Sequence, residues 1–221
     1  MSIAQKSKTK PIRLTRSCNG MLMTPEEFDA VTDYDDRFVY ELIHGVLIVS
    51  PVPGESERDP NEELSFLLRT YQQSHPQGSI LDKTLGEQYI ALPDSRRRAD
   101  RVIWIGLGRV PNPQDDVPAI AVEFVSKRKR DRIRDYEEKR RDYEVIGVEE
   151  YWLIDRFKKT MTVFKKSAGG ESVLVVKANE IYRTPLLPGF ELPLSRLLKV
   201  ADDWASSRSK GKGGQEQEPS K

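Results

Sequence analysis

One cysteine, Cys18, and two histidines, His44 and His75, are all the thiol and imidazole ligands that 221 residues hold. A lone cysteine excludes a disulfide framework and a thiolate zinc site. So few histidines disfavour a histidine-built metal centre and a Ser-His-Asp triad. No apolar run approaches the roughly 20 residues that span a bilayer, and no signal-peptide core is present, so the expectation is a cytoplasmic protein with no membrane partner. Net charge is +1, so no global field draws the chain to a polyanion and any basic surface must be local.

What remains is a polar globular composition, 37% hydrophobic and 32% charged, long enough to bury a substantial core. Residues 1–20 carry Lys6, Lys8, Lys10, Arg13 and Arg16 with no acid, and read as a disordered basic arm. Residues 205–221 are rich in Ser, Gly, Lys and Gln and read as a disordered tail, leaving one domain over 21–204. Thr24, Pro25 and Glu27 spell a capping box opening a short helix. Phe38 to Ser50 makes two apolar runs broken at His44-Gly45, a hairpin with Glu41 in its first run. Residues 51–60 read as a loop, and Leu64, Leu67, Leu68 and Tyr71 give the helical spacing of an amphipathic helix over 61–74.

The middle of the chain is organised around AIAVEFVSKRKRDRIRDYEEKRRDYEVIGVEEYWLID, Ala119 to Asp155: a buried strand, a charged helix and a second buried strand. Alternation puts Ile120, Val122 and Phe124 on one face of the first strand, and Ala121, Glu123 and Val125 on the other. A carboxylate in that company must be compensated by a cation, a proton or hydrogen bonds. In the preceding strand, RRRADRVIWI, Asp100 shares a face with Val102 and Trp104, while Arg101, Ile103 and Ile105 take the other. In the helix the stripe Ile133, Tyr136, Tyr143 and Ile146 faces inward, and Gly147 suits its left-handed end. Lys139 and Arg140 flank that stripe on opposite sides, and periodicity does not choose between them.

Two carboxylates on neighbouring strands and a cation from the next helix form an oxygen-rich site of the kind that takes Mg²⁺, which prefers one or two carboxylates plus waters and phosphate oxygens. The competing reading is structural: both acids in salt bridges with Arg96 to Arg98 and Arg140. Two basic runs flank the acid-bearing strands. Arg97, Arg98 and Arg101 adjoin Asp100, and Lys127 and Arg128 follow the Glu123 strand, so these five are the expected phosphate contacts.

The pattern YELIHG (Tyr40 to Gly45), RRAD (Arg97 to Asp100), AVEFVS (Ala121 to Ser126), the spaced Asp131, Lys139 and Tyr143, GVEEYWLID (Gly147 to Asp155) and LPGFELPLSRLL (Leu187 to Leu198) resembles the Uma2 family of restriction-endonuclease-like proteins, relatives of the PD-(D/E)XK nucleases. The resemblance covers about Thr24 to Leu198. It implies an α/β restriction-endonuclease-like fold, a mixed central sheet flanked by helices, and metal-dependent hydrolysis of phosphodiester bonds, in DNA for preference. Carried over, Asp100 and Glu123 would hold Mg²⁺ or Mn²⁺, and Glu41 would be an assisting acid. The usual motif lysine position holds Val125, so the resemblance moves that role to Lys139 on the next helix. Dimerisation would suit cutting both strands. The alternatives are an inactive nucleic-acid binder on the same fold and a structural or interaction protein.

Overall fold

The computed structural model describes residues 12–126, 134–167 and 170–211. They form two compact units, the first running to Val52 and including Ala91–Arg97, the second made of Pro53–Ile90 and the chain from Arg98 onward. Among the described residues no helix is long and apolar enough to cross a membrane.

In the first unit, β1 (Arg13–Leu14) pairs in parallel with β2 (Asp33–Tyr34), and Leu14 is buried with Met23, Tyr40, Leu42 and Leu47. The stretch expected as a structureless arm therefore contains a strand and a core residue at its far end. Helix α1 (Pro25–Asp29) lies between β1 and β2. It starts as expected: the Glu27 amide donates to Thr24 Oγ1 (3.2 Å), and the Thr24 amide donates to Glu27 Oε2 (2.9 Å). β3 (Phe38–Ile43) and β4 (Val46–Pro51) are the antiparallel hairpin, turned at His44 (φ 48°) and Gly45 (φ 75°). Two consecutive left-handed residues match the twist of a two-residue hairpin turn. Glu41 sits on β3, buried.

The second unit begins with α2 (Glu55–Ser74), which starts six residues before the helix expected from Asn61. The Gly54 amide donates to Glu57 Oε2 (3.2 Å), an N-terminal cap that carries the helix through Pro60. β5 (Leu81–Ala91) and β6 (Arg96–Ile105) follow, β6 leaving its first two residues in the first unit. Then come β7 (Ile120–Phe124), a π-turn over Arg134–Glu138, α3 (Lys139–Ile146) and β8 (Glu150–Asp155). Gly147 closes α3 at φ 95°, the left-handed stop expected of it.

β6 runs antiparallel to β7, β7 parallel to β8, and β8 antiparallel to β9 (Thr160–Ser167), which ends the sheet by pairing with β10 (Gly170–Lys177). This is a mixed central sheet. The short pair β11 (Ile181–Tyr182) and β12 (Leu192–Pro193) leads into α4 (Leu194–Gly211), which continues past residue 205 into the expected tail.

Alternation divides the sheet as the residue pattern requires. Ile103, Ile120, Val122, Phe124, Trp152 and Ile154 form one buried cluster with Leu64, Leu68 and Tyr71 of α2 and Leu194, Leu197 and Leu198 of α4. The opposite face carries Tyr151, whose ring meets Tyr143 of α3 edge-on at 5.3 Å and stacks on Phe164 at 5.8 Å. Helices thus cover both faces, and Glu123 lies on the α3 side.

Candidate active site

Glu123 enters the site from the middle of the sheet. β7 is an inner strand, paired on both sides, and Glu123 on it is only 3% exposed. The compensation that such burial demands comes from α3. Lys139, also 3% exposed, donates from Nζ to Glu123 Oε1 at 2.7 Å and to the Arg98 carbonyl at 2.7 Å. Tyr143, one turn further along α3, donates its hydroxyl to the same Oε1 at 3.1 Å. The open choice between Lys139 and Arg140 is resolved here: Arg140 stands with its guanidinium 4.8 Å from the centre of the Phe164 ring, and Lys139 turns in.

Asp100 is brought alongside by register. Arg101 lies opposite Val122 and Val102 opposite Ala121, so the next step along both strands brings Asp100 beside Glu123 on one face. The Phe124 amide donates to Asp100 Oδ2 at 2.6 Å, which fixes the rotamer. The Asn61 side chain donates to the Asp100 carbonyl at 2.7 Å, tying α2 to this point of β6. Burial pushes the Asp100 carboxyl up to about 6, with the Lys139 cation pulling it down and the Glu87 charge pushing it further up.

Glu87 was not among the expected residues. It stands on β5, and Arg98 Nη2 meets its Oε2 at 2.6 Å. Burial raises the Glu87 carboxyl as well, and the cations of Arg98, Lys139, Arg58 and Arg101 oppose that shift. Its place at the site depends on a left-handed backbone at a residue type that seldom adopts one (φ 56°), a feature no side-chain pattern announces.

Two of the expected phosphate contacts must be corrected. Arg97 and Arg101 are 0% and 2% exposed. Arg101 points to the face of β6 that α2 covers, and its guanidinium is used up there: Nε donates to Asn61 Oδ1 (2.7 Å), Nη2 to the Asn61 carbonyl (3.0 Å) and Nη1 to Thr84 Oγ1 (3.2 Å). Arg97 is buried within the first unit. A run of arginines suggests a solvated face, but on an inner strand every second one must go inside. Arg98 keeps partial access to solvent. Lys127 and Arg128 lie outside the described residues, as does Ile133 of the expected helical stripe. Glu41 belongs to the first unit, and Asp100, Glu123, Lys139, Tyr143, Glu87 and Arg98 belong to the second.

Among the described residues no three acids, histidines or cysteines converge into a metal cage. Two carboxylates do suffice for Mg²⁺ or Mn²⁺, whose remaining positions go to water and phosphate. The donor set fits that use. Asp100 Oδ2 is taken by the Phe124 amide, whereas no donor among the described residues reaches its Oδ1.

The comparisons with known proteins agree with this geometry at the level of family and fold. A crystal structure described as that of "a putative nuclease belonging to DUF820" from Anabaena variabilis ATCC 29413 matches with a TM-score of 0.62 at 16% identity, over 81% of this chain and 99% of that one. At that identity the likeness shows a shared fold. No curated protein matches the chain. The family model that does match, named Uma2 and described as "Putative restriction endonuclease", spans residues 25–195, from the first helical residue of α1 into α4 and across every residue of the set just described. With that span matched, the chain belongs to the Uma2 family.

Proposed function

We propose that this protein is a divalent-metal-dependent endonuclease that hydrolyses phosphodiester bonds in DNA, in the cytoplasm. The family and the solved structure of like fold both bear nuclease descriptions. The single observation that carries the reading is the buried ammonium of Lys139, 2.7 Å from Glu123 on the face that Asp100 shares. A lysine buried only for stability needs no second carboxylate with an open oxygen beside it.

Asp100 and Glu123 would hold Mg²⁺ or Mn²⁺, which when bound polarises a phosphodiester and makes a coordinated water acidic. The rest is the work of the chain. Phe124 holds Asp100 through its backbone amide, so the open oxygen keeps one direction. Tyr143 and Lys139 together hold Glu123 Oε1, which preorganises the carboxylate before any ligand arrives. Lys139 carries the positive charge that positions a water nucleophile and offsets charge developing on the phosphorus oxygens. Arg98, partly open to solvent at the edge of the site, supplies a guanidinium for a phosphate oxygen. Two such sites in a homodimer would cut both strands.

The test is nicking of supercoiled plasmid by the purified protein in Mg²⁺, Mn²⁺ or EDTA, alongside Glu123→Ala, Lys139→Ala and Glu41→Gln. Relaxed circles should form with either metal, and none in EDTA or with the first two variants. The Glu41 variant measures the assisting role expected for that acid. Metal-independent cleavage, or full activity in both Glu123→Ala and Lys139→Ala, rejects the reading. DNA binding without cleavage by the wild type would identify a silent binder on this fold.

A further inference from the structure

Three non-glycine residues among those described have a left-handed backbone: His44, Glu87 and Lys159. His44 and Lys159 lie in turns, where the chain reverses, but Glu87 lies within β5. Gly86, immediately before it, would adopt that conformation at no cost, yet the left-handed residue is the glutamate. The conformation accompanies a double grip on one guanidinium: Arg98 Nη2 reaches Glu87 Oε2 at 2.6 Å, and Arg98 Nε donates to the Glu87 carbonyl at 3.3 Å. Arg98 is itself two residues from Asp100 along β6, and its carbonyl receives Lys139 Nζ at 2.7 Å.

The cluster thus sets three carboxylates, Asp100, Glu123 and Glu87, against two cations, Lys139 and Arg98. Arg101, bonded to the neutral Asn61, keeps its charge and also acts on Glu87, as does Arg58, each more weakly than Lys139. Without a metal these opposite charges nearly cancel, so the site has little pull on a polyanion. A divalent ion turns the balance positive. Meanwhile the Arg98 and Glu87 side chains keep 22% and 33% of their surface, so their pair can be reached and exchanged from solvent. A phosphate offers the guanidinium a bidentate contact in exchange for the carboxylate.

We infer that Glu87 is an electrostatic gate: it holds Arg98 until a divalent cation enters, and then yields the guanidinium to a phosphodiester oxygen. This rests on the nuclease reading and adds to it a residue that makes nucleic-acid binding conditional on the metal. Glu87 touches neither metal nor phosphate; it acts through Arg98 and through its charge.

The experiment measures anisotropy of a fluorescein-labelled DNA duplex with the full chain, in EDTA and in Ca²⁺, an ion that seeks the same oxygen ligands. Wild type should bind roughly tenfold more tightly in Ca²⁺ than in EDTA, the gain in local positive charge deciding the difference. Glu87→Gln should bind roughly fivefold more tightly than wild type in EDTA, and its Ca²⁺ enhancement should fall to about twofold. Glu87→Gly, which relieves the backbone while removing the charge, should behave likewise, so a folding defect cannot mimic the result. In an Arg98→Ala background the gain from Glu87→Gln should shrink by more than half. Calcium-dependent binding by wild type with both Glu87 variants indistinguishable from it overturns the gate alone. No binding by any of the proteins in either buffer overturns the nuclease reading and the gate together.

Discussion

Lys139 and Glu123 meet at 2.7 Å with each side chain 4% exposed, an ion pair almost wholly withdrawn from water. Burying two charges costs several kcal/mol per ion before their attraction is counted, and apolar residues of similar shape often stabilise a core more. Stability alone does not account for the pair. A site that must hold a carboxylate and an ammonium in one fixed geometry does.

Breaking the pair should therefore be worse than replacing it. Glu123→Ala leaves the Lys139 ammonium buried without the carboxylate it faces, and should lose roughly 3–5 kcal/mol in urea unfolding. The double change Glu123→Gln with Lys139→Met should recover much of that loss and remain without nuclease activity. Equal losses in the single and double variants would mean that the contact contributes by packing rather than by charge.

Asp100 gives a prediction with a definite sign. Its carboxyl is pushed by burial to about 6 from an ordinary 3.8, so the folded chain holds that proton more tightly than the unfolded chain does. The associated stability is present below pH about 4 and is lost as the pH rises through about 6. In EDTA, Asp100→Asn should accordingly be more stable than wild type at pH 7.5, on the order of 2 kcal/mol, and equal to it near pH 4. The amide oxygen can still accept from the Phe124 amide, so the rotamer is kept. Thermal unfolding across that range reads the difference, while the variant should lose its cleavage. A variant less stable at neutral pH would mean that the charge is compensated in the free protein.

Arg101 separates structure from binding. Burial lowers its guanidinium to about 10, and all three of its nitrogens donate to Asn61 or Thr84. Arg101→Met should cost roughly 2–4 kcal/mol, since it strands the Asn61 acceptors inside the unit. The salt dependence of DNA binding by the folded fraction should be unchanged, because no phosphate contact is lost. A reduced slope would restore Arg101 to the phosphate-binding set.

Glu150 is the structural counterpart of Glu123, buried one strand away on the other face. It accepts from Tyr182 Oη (2.7 Å), Trp152 Nε1 (2.8 Å) and Thr184 Oγ1 (2.8 Å), with Lys165 Nζ at 3.3 Å. Every lone pair has a donor, and the network pins the β11 segment to β8. Glu150→Gln turns an NH₂ toward donors and should lose roughly 2–3 kcal/mol. Nuclease activity per folded molecule should be retained; its loss would tie this network to the chemistry.

Much of this was legible in the residue pattern. Alternation along β6 and β7 assigned Asp100 and Glu123 to faces that the register then joined, because a period of two is insensitive to what surrounds the strand. The same alternation, applied to the arginine run, places Arg97 and Arg101 with Ile103 and Ile105, and the composition of the run obscured it. Lys139 and Arg140 could not be told apart because a π-turn over Arg134–Glu138 precedes them, and its wider spacing is invisible to a 3.6-residue period. Pro60 suggested a loop where Glu57 caps a helix that runs through it. Glu87 was out of reach altogether. Its position follows from one backbone angle, and its partner Arg98 is eleven residues away on another strand.

The most direct measurement is Mn²⁺ binding, followed by electron paramagnetic resonance, in the wild type, Asp100→Asn and Glu123→Gln, without nucleic acid. A bound ion in the wild type, with affinity falling roughly tenfold or more in each variant, is the predicted result, since each variant removes one of the two anionic ligands. Manganese affinity equal in all three proteins would contradict a metal site built from these two carboxylates.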